Sequence, residues 1–150
     1  MPMEARQINN ETEIRNLIDI HVEALRAKDA DAVVVNYAED NVMFVMAPPL
    51  QYKAANSPGK QGVEEWFGTW EGPLGYEIRD LRITAGEDVA FCHCLNRMSG
   101  VKTDGEKVDM GLRETLCFRK IDGKWKIAHE HESVPFYMDG SYKAAVDLKP

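Results

Sequence analysis

Residues 112–133 read LRETLCFRKIDGKWKIAHEHES, and the fold turns on how this stretch is folded back on itself. Apolar and polar residues alternate on both sides of Asp122-Gly123, the period of a half-buried strand. Asp-Gly between two such runs is a strong hairpin signal, because a type I′ turn needs positive φ at both central positions. With that pair at the tip, Ile121 meets Lys124, Phe118 meets Ile127, Leu116 meets His129 and Glu114 meets His131. These pairs share a face with Trp125, which marks it as the core side. Asp104-Gly105, placed the same way, sets Phe91 against Phe118, His93 against Leu116, Leu95 against Glu114 and Arg97 against Leu112. The two counts agree on one inner face and leave Cys92 and Cys117 facing each other on the outer one. A one-residue slip would expose Trp125, Ile127, Phe118 and Phe91 together, at roughly 1.5–3 kcal/mol for each.

Outward from the hairpin the pattern extends to four long strands, Gly75–Ala85, Val89–Lys102, Lys107–Ile121 and Lys124–Phe136. The breaks fall at Gly86-Glu87-Asp88 and at the two Asp-Gly pairs. The first third reads helical. Asn10 is placed to cap with Glu13 as its capping-box partner, and Ile14, Leu17, Ile18, His21, Val22 and Leu25 recur on one helical face. A second helix fits Ala30–Tyr37, a strand fits Asn41–Ala47 up to Pro48-Pro49, and a third helix fits Gly62–Trp70. Between the last two lies a polar loop, Gln51–Lys60, with Ser57-Pro58-Gly59. The chain therefore reads as α+β, one domain over 1–150, with 1–9 and 139–150 as less ordered tails.

With 150 residues, 44% of them hydrophobic, and a net charge of −7, the chain is long enough for one sizeable core. No stretch concentrates Lys and Arg, so nucleic acid and anionic membrane are not expected partners. No apolar run reaches the roughly 18 residues of a membrane span. Three cysteines without zinc-ribbon spacing, and no signal-peptide pattern, fit a reducing cytoplasm. No P-loop, dinucleotide fingerprint or nucleophile elbow is present, so no nucleotide cofactor or covalent chemistry is indicated.

On this register all four histidines, His21, His93, His129 and His131, enter one interior with Glu114 among them. Histidine titrates near neutrality, so such a gathering suggests a wet, functional cavity. Glu114 directly opposite His131, about 5 Å between Cβ atoms, would fix one imidazole tautomer and make a general acid or base. The alternative is a buried, satisfied ion pair. Arg97 or His129 would then stabilise developing negative charge, Arg97 being equally able to pair with Glu77. His21, Tyr37, Phe44, Trp66, Trp70 and His93 are the candidate ligand-binding residues, although their spacing also suits plain core. His129-x-His131 could hold a metal only with a third ligand that Glu114 and His93 supply poorly, so no metal is expected. The inner face, apolar at the Trp125 end and polar toward Ser133, suits a cone with a packed apex and a polar mouth.

Several stretches resemble the SnoaL-like, ketosteroid-isomerase-related proteins of the nuclear transport factor 2-like superfamily. They are Ala27-Lys28-Asp29-Ala30-Asp31, Tyr37-Ala38-Glu39-Asp40-Asn41-Val42, Ala47-Pro48-Pro49-Leu50, Gly75-Tyr76-Glu77-Ile78-Arg79-Asp80-Leu81 and Lys124 through Pro135. The resemblance implies a cone-shaped, cystatin-like fold, with three N-terminal helices packed on a strongly curved, mostly antiparallel sheet around a deep pocket. It also implies a homodimer, here expected through the outer sheet face, and a small-molecule ligand. Relatives of this kind include isomerases, polyketide cyclases, dehydratases and epoxide hydrolases, as well as proteins with no known reaction. The isomerase template pairs an aspartate base with a tyrosine and a protonated aspartic acid. This chain departs from it: Asn36–Asp40 offers no clearly inward carboxylate, and helix one brings His21. The expectation is a cofactor-independent general acid–base enzyme on a small, partly hydrophobic carbonyl or hydroxyl compound. A non-catalytic binding or dimerisation module is the alternative and a metal-dependent enzyme the third.

Overall fold

The computed structural model describes residues 2–54 and 59–150 of the chain. Three helices, α1 (Met3–Arg26), α2 (Ala30–Val34) and α3 (Gly59–Gly68), lie against a six-stranded sheet. Its strands are β1 (Tyr37–Phe44), β2 (Tyr52–Lys53), β3 (Trp70–Ala85), β4 (Val89–Lys102), β5 (Lys107–Ile121) and β6 (Lys124–Ser133), in the order β2-β1-β6-β5-β4-β3. All neighbours are antiparallel except β1 and β6. The sheet is mixed and curved, and its bulges in β1, β3 and β6 supply bends where the pleat gains or loses a residue.

The bounds of β4 and β5 fall where the alternation places them, and several other bounds move. Helix α1 begins at Met3, so Asn10 is no cap but a buried residue in mid-helix. Its amide donates to the Gly86 carbonyl at 2.9 Å, and its oxygen accepts from Lys120 Nζ at 3.2 Å. The second helix stops at Val34 and is capped at its start by Asp29, which accepts from the Ala32 amide. Tyr37 opens β1 instead, and β1 ends at Phe44 rather than at Ala47. Trp70 leaves the third helix and begins β3, while β6 ends at Ser133 rather than Phe136. In the expected polar loop Gln51–Lys60, Tyr52–Lys53 pairs with β1, and residues 55–58, which include Ser57-Pro58, lie outside the described residues. The supposed tails are built in as well. Residues 3–9 are helical, Ala145 is buried, and the Leu148 carbonyl accepts from the Gly111 amide.

Two local features decide which side chains face inward. At the β5–β6 hairpin Asp122 and Gly123 have φ of +51° and +77°, the expected two-residue turn, and Phe118 faces Ile127. Beyond that pair β6 carries one extra residue: Cys117 lies opposite His129, Leu116 opposite Glu130, Thr115 opposite His131 and Glu114 opposite Glu132. A bulge at Ala128 has reversed the parity of everything after it. At the β4–β5 hairpin the loop is three residues, Thr103-Asp104-Gly105, with Gly105 at φ +90° and the Lys102 amide bonded to the Glu106 carbonyl. That shifts the register by one, so Cys92 faces Leu116, Cys94 faces Glu114, Asn96 faces Leu112 and Met98 faces Met110.

The core follows these corrected faces. Trp125, Ile127, Phe118, Leu116, Leu112, Cys92 and Met98 of the sheet pack with Leu74 and Tyr76 of β3 and with Ile14, Ile18 and Val22 of α1. Trp125, Ile127 and Phe118 are inside as expected. Phe91 is not: it is 45% exposed on the outer face with Leu95.

Candidate active site

The concave face of the sheet and the three helices enclose a cavity of about 350 Å³. Apolar side chains make most of its wall, among them Leu25 and Val33 from the helices, Met43 and Val45 from β1, and Met98 and Leu112 from β4 and β5. Tyr37, Tyr52, Tyr76 and Trp66 add rings. The ionisable groups of acid or basic character on the wall are His21, Glu130 and Glu132; among the described lining residues there is no Lys or Arg.

Glu114 stands beside this pair, and the three carboxyl groups offer oxygens within 4.8 Å of one another. Strand geometry brings them together: Glu114 and Glu132 are direct cross-strand partners, and Glu130 is two residues from Glu132 on the same face. Glu114 and Glu130 are each only 6% exposed. A polar chain surrounds them. Tyr37 Oη donates to Glu130 Oε2 at 2.8 Å; Asn96 Nδ2 donates to Glu114 Oε1 at 3.0 Å and to Tyr76 Oη at 2.8 Å; Cys94 Sγ donates to Asn96 Oδ1 at 3.0 Å.

Three carboxyls so close in an apolar enclosure cannot all ionise. Burial pushes the Glu114 and Glu132 carboxyls well above the usual carboxylate range, and the charge of Glu130 pushes in the same direction. Both also share hydrogen bonds with Glu130. The arrangement therefore carries fewer charges than carboxyl groups, the neutral forms of Glu114 and Glu132 being the favoured ones. Burial, reinforced by Glu130, likewise raises the Tyr37 hydroxyl and keeps it a proton donor. The neighbouring thiols are inert, Cys92 being pushed up to about 12 by burial and Cys94 moved upward for the same reason. Glu114, Glu130 and Glu132 are also the group of described residues that could hold a metal ion by proximity. Of their oxygens, Glu114 Oε1 accepts from Asn96 and Glu130 Oε2 from Tyr37.

His21 enters from α1, 6% exposed, with its ring edge-on to Tyr37 at 5.5 Å between centroids. Asn36 Nδ2 lies 3.1 Å from its Nδ1, and burial lowers the histidine's pKa.

Of the residues expected to form the site, His21, Tyr37 and Trp66 line the cavity and Glu114 belongs to its acid cluster. The others do not converge there. The bulge at Ala128 turns His129 and His131 outward, where Phe44 packs edge-on against both rings and His129 Nδ1 donates to the Val42 carbonyl at 2.7 Å. Phe44 is therefore an outer-face residue too. The register shift turns His93 outward, opposite Thr115. It also places Arg97 on the outer face, where Nε and Nη2 each meet Asp109 at 2.8 Å, while Glu77, its cross-strand neighbour, adds a smaller coulombic attraction. Trp70 is buried in the core beneath Lys102, apart from the cavity wall. Cys92 and Cys94 point inward, not toward a face-to-face pair with Cys117. Glu130 and Glu132 are the cavity-lining carboxyls the pattern missed. For the face of β4 a signal was available: Cys92, Cys94 and Met98, residue types that favour burial, alternate with His93 and Arg97.

A family model described as the SnoaL-like domain matches residues 14–137. Among solved structures the chain is similar to an NTF2-like protein of unknown function from Pseudomonas putida. The identity is 35% over 93% of this chain and 96% of that one, with a TM-score of 0.82. It has the fold of a candidate scytalone dehydratase from Novosphingobium aromaticivorans, at 16% identity, 95% of each chain and a TM-score of 0.78. It also has the fold of an NTF2-like protein with a cystatin-like fold from the same organism, at 18% identity, 98% and 94% coverage and a TM-score of 0.68. No curated protein matches the chain. No helix among the described residues is long and apolar enough to cross a membrane.

Proposed function

This chain belongs to the SnoaL-like family of NTF2-like proteins, and from that premise we propose that it is an acid–base enzyme acting on a small, uncharged, partly hydrophobic compound. One observation carries the reading: three carboxyl groups within 4.8 Å of one another beside an otherwise apolar cavity. Burying such a cluster opposes folding unless protons and hydrogen bonds offset it, and here both are present. Glu130 is the proton acceptor, while Glu114 and Glu132 hold protons that can be returned. Tyr37 steadies the acceptor through its 2.8 Å hydrogen bond. A carboxyl group to accept a proton and an acid beside it are what proton transfer at carbon or oxygen requires.

The wall also selects. With acids and a neutral histidine as its ionisable lining, the cavity gives an anionic substrate nothing to pair with and a carboxylate to repel it. Thermal-shift screening with matched compounds tests this. Uncharged cyclic ketones and phenols raise Tm, a binder at one hundred times its Kd adding about 2.7 kcal/mol. Their carboxylated counterparts leave Tm unchanged. Stabilisation by the carboxylates alone would refute the assignment.

The outer face supports a further reading, that two copies pair through it. Phe91 and Leu95, 45% and 36% exposed, stand with the edge-packed rings of Phe44, His129 and His131 on that face. Light scattering on the purified protein is expected to give twice the chain mass, and a monomer at micromolar concentration rules the pairing out.

A further inference from the structure

The outer face of the sheet is the cationic part of an anionic chain. Arg79 and Arg82 of β3, Arg97 of β4, Arg113 and Arg119 of β5 and Lys126 of β6 stand on it, while the whole chain carries a net charge of −7. The carboxylates beside them are already engaged: Glu77 with Arg79, Asp109 with Arg97, and Asp40 with Arg119. Lys126 Nζ donates to the Val35 carbonyl and Arg113 Nε to Ser133 Oγ. Neither Arg82 nor Arg113 has a carboxylate partner among the described residues.

Three histidines stand among these cations. The register sets one row across five strands: Arg82 opposite His93, His93 opposite Thr115, Thr115 opposite His131, and His131 opposite Phe44. His129 lies two residues back on the strand of His131, with 6.3 Å between ring centroids. It faces Cys117, whose thiol burial pushes up and keeps neutral. His93 and His131 are exposed and His129 is half-buried. His129 Nδ1 donates to the Val42 carbonyl, so a second proton enters at Nε2 and leaves that bond in place. Histidine gains its charge in mildly acidic solution. A charge gained here has arginines for neighbours and carboxylates that already serve arginines.

In the separate chain, water solvates such a charge. Against a second copy it does not. Five strands about 4.8 Å apart, each contributing about ten residues of about 3.3 Å rise, offer about 800 Å², the area that each partner of a stable interface buries. A two-fold interface sets the patch against itself, so every charge added to one copy is added across from it as well. Phe44 and Phe91 would at the same time take the imidazoles out of water, where the charged form is penalised most. We infer that the pairing of two copies through this face is controlled by pH: His93, His129 and His131 are neutral in the dimer, and their protonation drives the copies apart. The inference rests on the pairing proposed above and adds its regulation. Separated copies then hold more protons than the dimer does. The dissociation constant therefore rises as pH falls, about tenfold per pH unit for each proton taken up in excess.

Sedimentation velocity over a dilution series, at about pH 8 and about pH 5.5 and equal ionic strength, tests the inference. The dissociation constant is expected to be at least about tenfold larger at the lower pH, with unchanged far-UV spectra. Sodium chloride at about 0.5 M is expected to restore pairing at the lower pH, because it screens like charges. In the triple variant His93→Gln, His129→Gln, His131→Gln, whose amides gain no proton, the two constants should agree within about threefold. Equal constants for the unaltered protein, no recovery in salt, or a full pH response in the triple variant overturns control by these histidines. The first two measurements need no variant, so they decide even if the triple variant fails to fold. A single-chain mass at both pH values removes the pairing itself and its control together, whereas a dimer indifferent to pH leaves the pairing standing.

Discussion

Glu130→Gln is expected to give a folded protein whose turnover of a substrate found for the cavity falls by about two to four orders of magnitude. Glutamine keeps the shape of the side chain and an oxygen to accept from Tyr37 Oη, so the 2.8 Å hydrogen bond has a replacement. What it cannot do is take a proton. A steady-state rate and a far-UV spectrum, measured on the same preparation, separate chemistry from folding. A rate within threefold of the unaltered protein would remove Glu130 from the reaction and leave the acid cluster as a structural oddity. Tyr37→Phe is the gentler companion, since it leaves the carboxylate and deletes only its donor.

The second large effect concerns stability against pH. Glu114 and Glu132 have folded-state pKa values above their unfolded ones, chiefly because they are buried and then because of Glu130. Between the two values the folded chain retains protons that the unfolded chain has released. The favourable contribution is complete below the unfolded pKa, about 4.3, and is lost as pH rises toward the folded pKa. This is opposite in sign to a salt-bridged carboxylate. Each pH unit inside that window costs about 1.4 kcal/mol for each carboxyl concerned. Glu114→Gln imitates the protonated acid: its oxygen accepts from Asn96 Nδ2, and its amide donates as the acid does. The variant should match the natural chain near pH 4.5 and exceed its stability by a margin that grows as pH rises toward the folded pKa, as read by urea denaturation at a series of pH values. Parallel curves for the two proteins would show that Glu114 titrates normally.

Much of the architecture was legible because apolar residues mark it. Trp125, Ile127 and Phe118 commit one face of the hairpin to the core, and Asp122-Gly123 specifies its turn, so the ends of β4 and β5 followed. The site was not legible for the same reason in reverse. From His129 to Ser133 every residue is polar, so no hydrophobic pattern holds the strand's parity, and a bulge at Ala128 goes unopposed. Asp104-Gly105 has the same letters as the other turn but sits in a three-residue loop, in which only Gly105 takes positive φ. Phe91 could not arbitrate, because single apolar side chains are common on protein surfaces. His21 was placed correctly because its helix carries apolar neighbours at i−3, i+1 and i+4: Ile18, Val22 and Leu25. Asn36, whose amide lies 3.1 Å from the His21 ring, lay hidden in a helix assigned three residues too long.

Between Ile127 and Glu130 the backbone spends one residue more than its partner strand does. The composition of the cavity wall is decided there, not by the presence of glutamate or histidine in the sequence, since both are encoded in strict succession. An evenly pleated ribbon with identical letters would offer imidazoles to a ligand and carboxyls to solvent, exchanging a proton-sharing acid lining for a basic one. Shortening the ribbon by Ala128 and straightening it would instead keep the carboxyls where they are. Two proteins of this architecture can therefore agree at every one of these positions and still differ in chemistry, so transferring a reaction between them requires comparing backbone paths as well as residues.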